Sequence, residues 1–205
     1  MLSDEKFVPG AAALADAKAY LRVDGTAEDA LIAGLVATAC GLCEAFVGQM
    51  LVARGVEETL AASGAWTRLA RTPVRAVTAV TRGGVALMPE TYAIDIDQNG
   101  DGWVRHGDGF VPSAGPWSRP ARLQVAYQAG LATDWTDVPD PLRQGALRLA
   151  GHLYAQRAAL GDGASGNGAL GGGARDPGGP PAAVAALWRP FRRMPFGGTH
   201  YAGAP

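Results

Sequence analysis

Alternating carboxylate and amide side chains in residues 95–102 form the sharpest chemical pattern in the sequence. Oxygen-bearing side chains occupy every second position, at Asp95, Asp97, Asn99 and Asp101. Calcium-binding loops begin with this spacing and carry a glycine at the sharp turn. The twelfth position is His106 instead of the bidentate glutamate, and the flanking residues have strand-like patterns instead of helical ones. The pattern therefore favours a polar hairpin turn, with a calcium site as the alternative.

Cys40 and Cys43 have the spacing of a redox pair or of half a zinc site. A redox pair should open a helix after a strand, whereas these cysteines lie inside a strongly periodic helical segment. A structural zinc site needs two further ligands, and His106, His152 and His200 are far apart with no cysteine near them. We therefore expect both cysteines to pack a helix, and we expect no metal or other cofactor.

Other patterns that could support catalysis are incomplete. Glycine runs within residues 161–171 match the dinucleotide fingerprint in form, but they follow a helical segment where the fingerprint must follow a strand. A nucleophilic site would have to draw on Ser63, Ser113, Ser118 and His152, and no Gly-x-Ser-x-Gly motif supports one. The sequence thus predicts a protein that is not an enzyme and has no catalytic residues.

A cluster of basic and aromatic residues lies near the C-terminus. Its members are Trp188, Phe191, Arg192, Arg193, Phe196 and Tyr201, with Arg189 beside them. Aromatic residues and arginine are enriched at the energetic centres of protein interfaces, and a segment without its own core can wrap a neighbour. The cluster could meet a phosphate backbone, an acidic protein surface or only solvent, and we expect a protein partner.

Composition and charge restrict the partners further. Lys and Arg total 18 and Asp and Glu total 19, so the balance offers no long-range attraction for a polyanion. The 205 residues are enough for one domain, or one domain with an insertion. Residues 1–9 do not resemble a signal peptide, and we expect no stretch to approach the length of a membrane span. We therefore expect a single domain, residues 1–205, made in the cytoplasm and without a membrane partner.

Apolar residues with a period near 3.6 predict four helices, at residues 11–23, 27–47, 140–159 and 182–191. The second is the best determined, with Thr26 as the expected N-cap and Gly48 at its end. In residues 51–127 the period changes to two, and hairpin signals occur at Gly83-Gly84 and in the 99–102 run. The predicted fold class is α+β and mainly helical, a helical bundle with a small antiparallel β insertion.

Two segments do not fit this pattern of helices and strands. Residues 161–181 contain little besides Gly, Ala, Pro, Asp, Ser and Asn, and cannot bury enough apolar surface to offset the entropy of ordering them. We expect a flexible loop there and an irregular tail over residues 192–205.

Several short segments, taken in order, resemble a known family. The N-terminal ones are Leu-Ala-Asp-Ala-Lys-Ala-Tyr-Leu-Arg-Val-Asp at 14–24, Glu-Asp-Ala-Leu-Ile at 28–32 and Glu-Ala-Phe-Val-Gly at 44–48. The later ones are Tyr-Gln-Ala-Gly at 127–130, Pro-Leu-Arg-Gln-Gly-Ala at 141–146, His-Leu-Tyr-Ala-Gln-Arg at 152–157 and Ala-Leu-Trp-Arg-Pro-Phe-Arg at 186–192. Their order and spacing resemble the head-tail connector, or adaptor, proteins of long-tailed bacteriophages and gene transfer agents.

This resemblance covers nearly all of residues 11–193 and implies a structural role. A subunit of this family would assemble with its own copies into a ring, about twelve in number, at the head-tail junction of the particle. The ring would bind the portal protein on one side and a stopper or tail-terminator protein on the other, and DNA would contact it only in passing through the channel. Residues 161–181 and 195–205 depart from the family pattern, so the resemblance assigns them no contacts.

Overall fold

The fold is described from a computed structural model for residues 1–107, 122–161 and 179–193. The chain divides into two compact units. The first, which we call the β unit, comprises Met1–Lys6 and Gln49–Leu131. The second, the helical unit, comprises Phe7–Gly48 and Ala132–Arg193.

The β unit consists of two antiparallel sheets. Its strands are β1 (Leu2–Asp4), β2 (Arg54–Ala61), β3 (Thr67–Arg68), β4 (Val74–Arg82), β5 (Val85–Ala86), β6 (Tyr92–Ile96), β7 (Gly102–His106) and β8 (Arg122–Ala129). The larger sheet has the order β1-β2-β8-β4-β5, and the smaller has the order β3-β7-β6.

Strand β8 lies at the centre of the larger sheet and shows why these residues form strands. Leu123, Val125, Tyr127 and Ala129 are buried, while the residues between them are exposed or half-buried, which is the period-two pattern of a strand with one face on the core. Its partner β2 pairs with it from Arg54 opposite Ala129 to Ala61 opposite Arg122. The buried side chains of both sheets meet in one core with Met50, Val56, Leu69, Val74, Val80 and Val104.

Two turns that the sequence predicts are present. Gly83 and Gly84 both have positive φ, at 57° and 81°, and connect β4 to β5 with Arg82 opposite Val85. Two successive residues with positive φ are typical of the type I′ hairpin turn, which favours glycine at both positions. The second turn connects β6 to β7 and is described with the candidate site below.

The helical unit is built from α1 (Ala11–Leu21), α2 (Asp29–Val47), α3 (Asp140–Gly161) and α4 (Ala182–Trp188). Helix α1 ends because Arg22 adopts the left-handed conformation, with φ of 57°. Helix α2 ends at Gly48, with φ of 71°, as the sequence predicts. Helix α2 buries Ile32, Val36, Ala39, Cys40, Cys43 and Val47.

The predicted start of α2 is wrong by two residues. The N-cap is Glu28 instead of Thr26, and it makes no side-chain capping bond. The Thr26 carbonyl instead accepts the Asp29 N–H at 3.2 Å in a turn that precedes the helix. The Glu28 carboxylate is used elsewhere, by a tyrosine and an arginine of α3.

Two broader predictions need correction. The predicted α+β class is confirmed, but with 41% helix and 28% strand the β part is much larger than a small insertion in a helical bundle. The expectation that no stretch approaches the length of a membrane span is also wrong. Helix α2 has 19 residues and a mean hydropathy of 2.0 over an 18-residue window. The core helix of a folded domain can have the same length and hydropathy as a membrane span. Helix α2 contributes six buried residues to the helical unit.

Candidate partner interface

Trp188 belongs to the core of the helical unit. Its side chain is 0% exposed, and its indole N–H donates to the Leu142 carbonyl at 3.3 Å. Its ring centroid lies 5.8 Å from that of Phe46, and its indole packs directly on Gly145 of α3. Because it has no exposed surface, Trp188 is removed from the set of residues predicted to contact a partner.

The neighbouring residues do reach the surface. A short 3-10 helix, Arg189–Phe191, follows α4, and it leaves Arg189 exposed and Phe191 half-buried. Arg192 is exposed, with its guanidinium carbon 5.6 Å from the centroid of the Phe46 ring. The backbone N–H of Arg193 donates to the Val47 carbonyl at 2.8 Å. The chain therefore passes the C-terminal end of α2 at Arg193.

This position is electrostatically favourable for cations. The carbonyl groups at the end of a helix carry the negative pole of its dipole, which stabilises nearby positive charge. Arg192 and Arg193 lie next to the last turn of α2, while the exposed Arg189 lies one turn before them. Exposed guanidinium groups bind carboxylates or phosphates in two-pronged geometry. Phe196 and Tyr201, the other predicted contact residues, lie outside the described residues.

The acidic run forms the hairpin turn between β6 and β7. One Asp97 carboxylate oxygen accepts the N–H groups of Asn99 and Asp101, each at 2.8 Å. Gly100 has φ of 77°, and a Cβ added at this position would collide with the Pro73 side chain. The Asp101 carboxylate pairs with Arg68 at 2.7 Å, and Asp95 lies within β6 opposite Trp103. The turn therefore uses its own carboxylates for hydrogen bonds and an ion pair, and the polar hairpin turn that the sequence predicts is present here.

The cysteines pack the inner face of α2. Cys40 is 1% exposed and Cys43 is 0% exposed, and both are free thiols. Burial raises the pKa of the Cys43 thiol far above its ordinary value, which disfavours the reactive thiolate. The prediction that both are helix-packing residues is confirmed. Within the described parts of the chain, no three His, Cys, Asp or Glu side chains are grouped closely enough to hold a metal ion.

The residues considered for nucleophilic catalysis have ordinary local roles where they are described. The Ser63 hydroxyl accepts the Ala65 N–H at 3.0 Å in a turn of the β unit. The His152 ring nitrogen Nε2 lies 2.9 Å from the Gln156 side-chain amide on α3. Ser113, Ser118 and most of the 161–181 tract lie outside the described residues.

Sequence reasoning missed a polar cluster that joins the start of α2 to α3. The Tyr154 hydroxyl donates to Glu28 at 2.5 Å, and Arg157 donates to the same carboxylate at 2.9 Å. These hydrogen bonds, Tyr154 first, lower the pKa of Glu28, and the bond to Glu28 raises the pKa of Tyr154. The partners are more than 120 residues apart along the chain, so no local spacing could have indicated them.

An open groove of about 690 Å³ lies along α1 and also escaped prediction. Leu14 and Ala15 form part of its apolar lining, and Lys18 and Arg22 are its basic residues. Lys18 is already paired with Asp29 at 2.6 Å and also donates to the Gly25 carbonyl. The groove therefore has the character of a shallow apolar surface, with one of its two cations already engaged.

Comparison with known proteins gives the chain a structural likeness. No protein-family model and no curated protein sequence matches it. It is similar to a chain in the neck of an empty gene transfer agent particle computed with C6 symmetry, with a TM-score of 0.68 and 25% identity. It is also similar to a chain in the neck of the native particle computed with C12 symmetry (TM-score 0.66, 23% identity) and to one in the native virion (0.64, 24%). Each likeness covers 97% of this chain and 99% of the other. Across both of its units, this protein has the fold of a chain found in the neck of a gene transfer agent particle.

Proposed function

We propose that this protein is a structural subunit of the neck of a phage-like particle, at the junction between head and tail. The observation that carries the proposal is the likeness in fold, which spans 97% of this chain and 99% of a neck chain at 25% identity. A match of this extent includes the helical unit and the β unit together. It therefore supports a common architecture for the whole chain.

In the finer form of the proposal, the protein is an adaptor. Copies of it form a ring, about twelve in number, with the portal protein on one side and a stopper or tail-terminator protein on the other. The C6 and C12 symmetries of the similar necks support a ring of repeated chains. The near-neutral net charge of −1 fits a subunit that DNA passes without binding tightly.

The exposed basic residues beside α2 are the proposed contact to another ring. Arg189 and Arg192 are exposed, and the half-buried Phe191 lies between them in the sequence. Such a set fits an acidic protein surface, because arginine and aromatic residues supply much of the binding energy at interfaces. Phe196 and Tyr201 would extend the same contact along the tail.

Electron microscopy of reconstituted particles tests the proposal. The purified protein is mixed with portal-bearing, tailless heads, and heads assembled without portal serve as the control. We expect a new ring of density beneath the portal and none on the control heads. If wild-type protein neither adds density nor sediments with portal-bearing heads, the adaptor function is refuted.

A further inference from the structure

The outer face of α2 carries apolar surface that no other part of the described chain covers. The helix has a mean hydropathy of 2.0 over 18 residues, yet only 33% of that window is buried. The outer face consists of Ala30, Gly34, Thr38, Gly41, Leu42 and Ala45, all of them exposed. None of these six side chains is charged, and Leu42 is 47% exposed. A helix that is apolar on all sides is normally buried on all sides.

The polar group on this face is already satisfied. The Thr38 hydroxyl donates to the Gly34 carbonyl of its own helix at 2.9 Å. A buried hydroxyl without a partner would oppose contact with another apolar surface, whereas a satisfied one does not. The outer face of α2 can therefore be removed from water without leaving this group unpaired.

No contact within the described residues explains why glycine occupies positions 34 and 41 of α2. Glycine destabilises the interior of a helix relative to alanine, so a glycine there usually permits a close approach. Gly145 and Gly151 of α3 follow this rule, because Trp188 packs on the first and Tyr20 on the second. A Cβ built at Gly34 or Gly41 meets no described atom within 4 Å. The close approach that these two glycines permit must then come from outside the described residues.

We propose that the outer face of α2 packs against a second copy of this protein in the ring. This inference rests on the proposed function, since the similar neck structures were computed with C6 and C12 symmetry. In a ring of more than two copies the contact is heterologous, so the outer face of one copy meets a different surface of the next.

The size of the face fits this occupant. A helix of 19 residues is about 28 Å long, and a face about 10 Å wide then offers roughly 300 Å². A stable pair of free proteins needs about 800 Å² on each side. The face is too small for a free dimer by itself. In a closed ring each subunit takes part in two such contacts, through its outer face with one neighbour and through the complementary surface with the other.

Bulky substitutions at the two glycines test the inference. The Gly34→Leu, Gly41→Leu double variant should fold, because both positions are open, and its circular dichroism and unfolding midpoint should not fall below those of wild type. We expect its occupancy on portal-bearing heads to fall at least tenfold. Ala183→Leu, at an exposed small residue of α4, is the matched control and should assemble as wild type does.

A photo-crosslinking amino acid at Leu42 identifies the occupant and does not depend on the glycine variants. A crosslinked product with the mass of two copies supports the inference. A product with the portal, with another particle protein or with lipid overturns it. Normal assembly of the double leucine variant also overturns it, while leaving the adaptor function intact. Failure of wild type itself to join heads would refute both.

Discussion

Gly145 and Gly41, both within helices, should respond in opposite ways to the same substitution. A methyl group at Gly145 collides with the Trp188 indole, which is held by its hydrogen bond to Leu142. We expect Gly145→Ala to lower the free energy of unfolding by about 1–3 kcal/mol through overpacking. Gly41→Ala meets open space and should raise it by about 0.5–1 kcal/mol through helix propensity. Denaturant unfolding of both variants measures the difference, and a Gly145→Ala variant as stable as wild type would contradict the packing described for Trp188.

The Glu28 carboxylate should make stability depend on pH in the acidic range. Its pKa in the folded protein is lowered below the ordinary 4.5, chiefly by the hydrogen bond from Tyr154 and then by that from Arg157. A group with a lowered folded pKa contributes stability above its unfolded pKa, and this contribution is lost as the pH falls through the folded value. We therefore expect Glu28→Gln to reduce the loss of thermal stability below about pH 4.5.

Melting temperatures at pH 7, pH 4.5 and pH 3 for wild type and Glu28→Gln provide the measurement. Glu90→Gln, at an exposed carboxylate of the β unit, is the matched control and should retain the wild-type slope. Equal acid sensitivity in Glu28→Gln and wild type would show that this cluster does not contribute. At the alkaline end the raised pKa of Tyr154 has the opposite sign, since its contribution is lost as the pH rises above the ordinary value of 10.

At the scale of elements, the β6–β7 hairpin allows a direct test of the calcium alternative. Asp97 accepts two backbone N–H groups, so Asp97→Ala should cost about 1–3 kcal/mol of stability, while Gln98→Ala at the exposed neighbouring position should cost little. Adding about 1 mM calcium should leave the wild-type melting temperature unchanged, because Asp97 and Asp101 are already engaged within the fold. A calcium-dependent rise in wild type that disappears in Asp97→Ala would instead establish the metal site.

Elements with long, regular patterns are those that sequence predicts well. Helix α2 keeps its apolar period over 19 residues, and its end at Gly48 is marked by the glycine itself. The Gly83-Gly84 turn is predictable for the same reason, since few residues adopt positive φ twice in succession. Strand β1 has only three residues and forms by pairing with β2, so no local period of apolar residues predicts it.

The candidate interface was harder to predict because packing and binding use the same residue types. As a residue type, tryptophan suits a core and an interface equally well. The packing of Trp188 on Gly145 and Phe46 shows that it belongs to the core. The outer face of α2 shows the opposite case, in which exposed residues look like core residues in the sequence. Its apolar residues continue the period of a core helix, and only their exposure in the folded chain, such as the 47% exposure of Leu42, separates the outer face from the inner one.

At the scale of the whole molecule, the chain would make two kinds of contact in the proposed ring. The outer face of α2 is uncharged and apolar, which suits a permanent contact between copies that assemble together. Arg189 and Arg192 are exposed and charged, which suits docking onto a separate ring that must be recognised in the correct orientation. Variants of the outer face of α2 should therefore fail to form the ring. Variants of Arg189 and Arg192 should form the ring but attach it poorly.

Deletion of residues 195–205 tests attachment separately from folding. The segment has no periodic apolar face in the sequence, and the truncated chain keeps Val184 and Trp188, which anchor α4 in the helical unit. We expect an unchanged unfolding midpoint and at least a tenfold weaker attachment to portal-bearing heads, equal to about 1.4 kcal/mol or more. Arg192→Ala should weaken attachment in the same direction, whereas Arg148→Ala, at an exposed arginine of α3, should not. Quantitative co-sedimentation at constant salt provides the measurement, and truncated protein that joins heads at the wild-type level would rule out the tail as a docking segment.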